Sequence, residues 1–198
     1  SDLVSYNFIL LRAYCKYAKR AGLTLNNKKI NILISKDQIN ERIEQLGIEI
    51  SKDYFGKKLY VLSLLRGSFI YTADLVRQIT VPTKIGFMTT SSYGDDEESK
   101  GLVNIVNDIP DNISGFDVLI VDDIVDTGLT MDFVVNHVRS LGAASVKTCV
   151  LLNKIERRKV EITPDYYCFE IPDLFVVGYG LNYGDYYRNI PYIFNWED

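Results

Sequence analysis

Histidine is almost missing from this chain: His137 is the only one in 198 residues. Cysteine is scarce too. Cys15, Cys149 and Cys168 stand far apart, and no Cys-x-x-Cys occurs. These shortages exclude the usual zinc ligand sets. Scattered thiols in odd number fit a reducing compartment better than a disulfide framework. Cys149 lies in an apolar run and Cys168 in an aromatic one, so both are expected as buried thiols. His137 sits away from any cluster that would give it chemistry, and a structural or surface role is expected. Basic charge is also short, with 22 Lys and Arg against 26 Asp and Glu, a net charge of −4 and a pI of about 5.1. That excludes general nucleic-acid binding, which needs a basic face. It leaves room for a small polyanion held by a few local cations. The apolar stretch Phe8-Ile9-Leu10-Leu11 is far too short to cross a bilayer, so no membrane partner is expected. Internal repeats, low-complexity tracts and the triphosphate loop Gly-x-x-x-x-Gly-Lys-Ser/Thr are absent.

What is present is an alternation of strand and helix patterns. With 47% hydrophobic residues the chain can bury a full core as one domain. Residues 1–29 read as a separate extension with partly helical spacing (Leu3, Phe8, Leu11, Tyr14, Ala18), stopped at Gly22. A basic targeting segment is the alternative for this stretch. Ser35 is placed to cap a helix through Ile50. Strands are expected at Leu59–Leu65, Lys84–Thr90, Leu102–Val106, Val118–Val121 and Val146–Leu152, with a helix over Phe69–Ile79. The sheet should be mainly parallel. Tyr166–Trp196, rich in aromatics and holding Pro172 and Pro191, reads as an irregular cap.

The most informative segment is Val121-Asp122-Asp123-Ile124-Val125-Asp126-Thr127-Gly128-Leu129-Thr130-Met131. A short β-branched run, Val118–Val121, precedes it, as a buried parallel strand requires. A helical spacing follows, through Met131, Val134, Val135, Val138 and Leu141. A strand opening through a small hydroxyl-rich loop into a helix is suited to phosphate, because loop and helix N–H groups point at the anion. Two neighbouring carboxylates can each accept hydrogen bonds from a vicinal diol. A ribose phosphate, with its hydroxyls on Asp122 and Asp123, satisfies both halves.

This segment resembles the phosphoribosyl-diphosphate motif of the type I phosphoribosyltransferases. Asp126 resembles the acid of the branch acting on 6-oxopurines, the hypoxanthine-guanine phosphoribosyltransferases. Four further pieces resemble that family in order: Leu64-Leu65-Arg66-Gly67-Ser68 with Ala73-Asp74-Leu75, Ser91-Ser92-Tyr93-Gly94, Leu151-Leu152-Asn153-Lys154, and Pro172–Leu181 with Tyr187-Arg188-Asn189. The resemblance spans about Ile30 to Ile193. It implies an α/β fold of the type I phosphoribosyltransferase kind: a mainly parallel sheet flanked by helices, in a single domain over 30–198 with a small C-terminal hood drawn mainly from 166–198.

The resemblance also implies roles. Asp126 would handle the purine N7 proton, although an Asp there can also cap a helix. Asp122 and Asp123 would bind the ribose hydroxyls and the metal's water shell, and Thr127, Gly128, Leu129 and Thr130 the 5′-phosphate. Arg66, Gly67 and Arg188 would bind diphosphate. In this family the peptide at Arg66 is often cis. Ser92 and Tyr93 would begin a lid. Lys154 would read the purine O6, with Arg157, Arg158 and Lys159 as a solvated cluster. Phe175 would stack on the base, unless it is ordinary core, and Val176 would offer a backbone carbonyl. Mg²⁺ is the implied cofactor. Asn182 stands where the family usually has the Asp of a second metal site, so it is a weak ligand at most. The implied partners are a purine base and phosphoribosyl diphosphate, in a cytoplasmic homodimer or homotetramer. Two alternatives stay open: a xanthine- or guanine-preferring enzyme, and a non-catalytic nucleotide-sensing regulator on the same fold.

Overall fold

The computed structural model describes residues 24–25, 28–92 and 103–197. The expected N-terminal helix, Cys15, Tyr93 and the acidic run 95–98 lie outside the described residues.

Ser35 opens the first helix, α1 (Lys36–Asp53), through a capping box: its side chain accepts from Gln38 N while the Gln38 side chain accepts from Ser35 N. Asp37 in the first turn and Lys52 in the last complement the helix dipole. Ile39, Ile43, Leu46 and Ile50 recur on one face and are buried. Strand β3 (Leu59–Leu65) follows, almost wholly buried. Helix α2 is Phe69–Val76. It ends short of the expected Ile79, because Gln78 N and Ile79 N bond three residues back, to Leu75 O and Val76 O. Then come β4 (Thr83–Ser92), β5 (Val103–Asn107), β6 (Asp117–Val125), α3 (Leu129–Ser140), β7 (Ser145–Lys154) and β8 (Tyr166–Ile171).

The main sheet has the order β5-β4-β3-β6-β7-β8, all parallel except the antiparallel edge strand β5. The alternation along β3 divides the core. Leu59 and Val61 pack with α1 and α2 on one face, and Tyr60, Leu62 and Leu64 pack with Met131, Val134 and Val138 of α3 on the other. The chain runs outward from β3 to β4 and β5, then returns to lay β6 on the other side of β3. This makes a topological switch point between β3 and β6, where ligands of open α/β sheets sit.

Two expectations are corrected. Strand β6 does not stop at Val121. It continues to Val125, because Asp122, Ile124 and Val125 still pair with Val150, Leu152 and Asn153 of β7 after β3 has ended its pairing at Val121. Asp122 and Asp123 are therefore strand residues. Tyr166–Ile171 is also not cap but the edge strand β8, with Tyr166, Cys168 and Ile171 inward and Tyr167 and Glu170 outward. Aromatic bulk on both faces hid the strand. The hood itself is partly a sheet, in which β9 (Ile193–Trp196) pairs with β2 (Lys28–Ile34), and β2 with β1 (Thr24–Leu25). Its small core joins Ile30, Val177 and Phe194. Among the described residues no helix is long and apolar enough to cross a membrane.

Replacing the cap, Ser35→Ala, is expected to lower stability by about 1 kcal/mol, read as a shifted midpoint in urea unfolding with an unchanged slope.

Candidate active site

The carboxyl ends of β3, β6 and β7 meet beneath the hood. Asp122 and Asp123, near the end of β6, each accept a bond from the next backbone N–H: Asp123 N to Asp122 Oδ1 and Ile124 N to Asp123 Oδ1, both at 2.9 Å. Burial raises both carboxyls above the usual range. The charge of Asp123 pushes Asp122 further up, whereas hydrogen bonds from Asp122 and the backbone, with Arg188 last, draw Asp123 back down. Gly67 lies directly on this pair, since a Cβ there would sit 1.8 Å from Asp123 Oδ2. Gly180 in turn lies on Gly67, where a Cβ would meet Gly67 O at 2.1 Å. Arg188 donates from Nη1 to Gly180 O at 2.6 Å, and Gly180 N to Arg188 O at 2.9 Å. Arg66, Gly67 and Arg188, far apart in sequence, are thereby brought to the Asp122–Asp123 pair. The Leu65–Arg66 peptide is cis.

Behind the Arg66–Gly67 turn, Ser63 Oγ lies 2.8 Å from both Ser68 Oγ and Thr72 Oγ1, a buried hydroxyl chain. It satisfies polar groups that the apolar core would otherwise penalise. Sequence reading did not find it, because small hydroxyls in an apolar strand carry no pattern of their own.

Asp126-Thr127-Gly128 turns β6 into α3. Gly128 stands at the N-cap with φ +85°, a conformation that glycine adopts at little cost. The first N–H groups of a helix lack partners within it. Leu129 N donates to Thr127 Oγ1 at 3.5 Å.

Lys154 closes β7 and is 5% exposed. Its Nζ lies 2.6 Å from Asp173 and 3.6 Å from Asp126 Oδ2. The hydrogen bond from Lys154 holds the Asp173 carboxyl below the usual carboxylate range. Arg157 reaches the same Asp126 Oδ2 at 3.5 Å. The other oxygen, Asp126 Oδ1, is buried and has no hydrogen-bond partner. An unpaired buried acceptor is costly, and such an atom invites a donor from a ligand.

The solvated-cluster expectation is corrected for Arg158 alone, since Arg157 and Lys159 are exposed. Arg158 is half-buried and donates to Asp126 O at 3.0 Å and to Asn153 Oδ1 at 2.8 Å. Arg157 pairs with Asp126, and Lys159 N with Thr127 O at 2.9 Å. A charge run alone cannot tell outward from inward guanidinium groups. Phe175 is not core, being 63% exposed and set edge-on to Tyr183 at 6.1 Å between ring centroids. Its neighbour Val176 is buried. Asn182 donates from Nδ2 to Gly184 O, which leaves its oxygen free to accept. Ser92 ends β4. Asp173 and the Tyr179–Asp74 hydrogen bond, which ties the hood to α2, were not singled out by sequence. His137 stands on α3 against Asp108 at 2.8 Å, as a structural residue. Cys149 and Cys168 are buried free thiols, as expected.

Among the described residues no group of three or more His, Cys, Asp or Glu side chains forms a metal cluster. The Asp122–Asp123 pair is nevertheless an all-oxygen donor set of the kind that hard divalent cations take, with the remaining positions left to water and ligand.

Residues 35–184 match the family model described as the phosphoribosyl transferase domain. A hypoxanthine-guanine phosphoribosyltransferase of Aquifex aeolicus is 42% identical over 175 residues, covering 88% of this chain and 98% of that protein. A hypoxanthine phosphoribosyltransferase of Haemophilus influenzae is 46% identical over 167 residues, covering 83% and 93%. Among solved structures, a hypoxanthine phosphoribosyltransferase of Staphylococcus aureus superposes with a TM-score of 0.81 at 39% identity, covering 84% of this chain and 91% of that one.

The raised carboxyls make a stability prediction. A group whose folded pKa exceeds its unfolded value, about 3.9 for Asp, favours folding while protonated and loses that contribution as pH rises through the folded value. Asp122→Asn should therefore melt higher than the parent chain near pH 8, and the gap should close toward pH 4. Melting curves across that range check it.

Proposed function

The chain belongs to the phosphoribosyltransferase family, in its hypoxanthine-guanine branch, and on that premise we propose that it salvages 6-oxopurines: it transfers the phosphoribosyl group of 5-phosphoribosyl 1-diphosphate to N9 of hypoxanthine or guanine, giving the nucleoside 5′-monophosphate and diphosphate. The observation that carries this reading is the pairing of a buried, unpartnered Asp126 Oδ1 with a buried Lys154.

The two groups match opposite needs of one purine edge. The N7 position carries a proton that a carboxylate can accept or polarise, and Asp126 Oδ1 is free to do so. An ammonium has only donors, so Lys154 favours the carbonyl O6 of hypoxanthine and guanine over the amino group of adenine. Asp173 and Asp126 hold that ammonium in place. Phe175, exposed at the hood, is available to stack on the base face, and the Val176 backbone to meet its edge.

As N9 bonds to the anomeric carbon and the C–O bond to diphosphate breaks, positive charge develops on the ribose and negative charge on the leaving group. Asp122 and Asp123 would hold the ribose hydroxyls, and their charge suits the developing cation. The N–H groups of Thr127, Gly128, Leu129 and Thr130 would hold the 5′-phosphate. Arg188 and the Arg66–Gly67 turn would take the diphosphate. Asp122 and Asp123 would also hold Mg²⁺, with Asn182 a weaker second point, and the cation would neutralise the leaving group. Ser92 and Tyr93 would begin a lid that excludes water during transfer.

A cytoplasmic setting agrees with the reduced, buried thiols. Assembly into a homodimer or homotetramer would cover the exposed Ile85 and Phe87 of β4.

Two variants test the roles. Asp126→Asn is expected to lower kcat for nucleotide formation from hypoxanthine by about 10²–10⁴-fold, with the KM for phosphoribosyl diphosphate changing far less. Asn182→Asp is expected to lower the Mg²⁺ concentration needed for half-maximal rate, since a carboxylate binds a hard cation better than an amide. An unchanged Mg²⁺ titration would remove Asn182 from the metal site.

A further inference from the structure

Arg158 was expected in solvent, and the fold instead turns it inward beneath the two residues that flank the purine. Its Nε donates to Asp126 O at 3.0 Å. Its Nη2 reaches Asn153 Oδ1 at 2.8 Å, Lys154 O at 3.3 Å and Val125 O at 3.4 Å. Its Nη1 donates to Ile162 O. One guanidinium thus bridges the end of β6, the end of β7 and the loop beyond. Burial draws its pKa below the ordinary value, and the charge of Asp126 opposes that shift in part.

The segment that carries Arg158 backs the phosphate loop. Lys159 N bonds Thr127 O at 2.9 Å. A Cβ on Gly128 would strike Ile162, Arg158 and Val160 at 2.7–2.9 Å, so these side chains fill the space behind the loop. Neither Asp126 nor Lys154 is fixed by its own strand alone, because each sits where ladder pairing ends: β6 at Val125 and β7 at Lys154.

We propose that Arg158 is a positioning residue: through the carbonyls of Asp126 and Lys154 it sets the spacing of the two side chains that read the 6-oxopurine, and it stiffens the phosphate loop between them. This rests on the reading of the site given above. A planar fork of fixed donors suits carbonyls on two strands. A lysine ammonium gathers its donors on one atom and cannot span them.

The test is Arg158→Lys, assayed in the cold, well below its melting transition, with hypoxanthine and adenine as competing bases. Displacing a site by about an ångström can cost as much as 10²-fold in rate. Expected here is a loss of about tenfold in kcat/KM for hypoxanthine, a several-fold rise in KM for phosphoribosyl diphosphate, and a narrower preference for hypoxanthine over adenine. A lower melting temperature with unchanged KM values and base preference would show a merely structural residue and overturn the proposal. Should Arg158→Lys not fold, Asn153→Ala, which removes one acceptor of the same guanidinium, carries the test on the same readouts. Absence of 6-oxopurine turnover in the unmodified chain overturns the parent reading and this one with it. Turnover there with unaltered Arg158→Lys kinetics overturns this one alone.

Discussion

Everything at the mouth of this fold answers to one constraint: three carboxylates, Asp122, Asp123 and Asp126, crowded within five residues at the end of a strand. Burial opposes the charged forms of the first two, and the charge of Asp123 further opposes that of Asp122. The surroundings are arranged around that conflict. Gly67 and Gly180 make room, since a Cβ on either would overlap its neighbour. Arg188 supplies a counter-charge to Asp123. Lys154 and Arg157 supply it to one oxygen of Asp126 and leave the other bare. An arrangement so strained in charge and so short of partners makes physical sense as one completed by a ligand that brings hydroxyls, an N–H donor and cations.

The same constraint explains the division of labour between scaffold and site. The parallel sheet is packed on both faces, so its strand ends are fixed. The switch point between β3 and β6 leaves a crevice where the Arg66–Gly67 turn and the phosphate loop face each other. The hood then closes the third side. Gly180 against Gly67 and Tyr179 on Asp74 tie it to the end of β3 and to α2, and Asp173 ties it to Lys154 at the end of β7.

How much of this was written in the sequence depended on whether the signal was local. Strand β3 is an apolar run broken only by Ser63, and its bounds were legible to the residue. The cap at Ser35 was legible because a capping box is a four-residue pattern. The turn from β6 into α3 at Gly128 was legible from its acids, hydroxyls and glycine. Pairing across the sheet was not legible. Strand β6 continues past Val121 only because β7 stays beside it, and β8 hid among aromatics that belong to a strand on one side and to the hood on the other. The directions of long side chains were the least legible of all. Arg158 points inward to donate to carbonyls at two strand ends, and no run of basic residues announces that.

The central claim is that Asp126 and Lys154 together select a 6-oxopurine. It is tested most directly by nucleotide formation from hypoxanthine, guanine, xanthine, adenine and orotate in parallel, with Mg²⁺ and phosphoribosyl diphosphate in excess. The account predicts turnover of hypoxanthine or guanine with little from adenine and none from orotate. Equal use of adenine, or no turnover of any 6-oxopurine at any Mg²⁺ concentration, would contradict it.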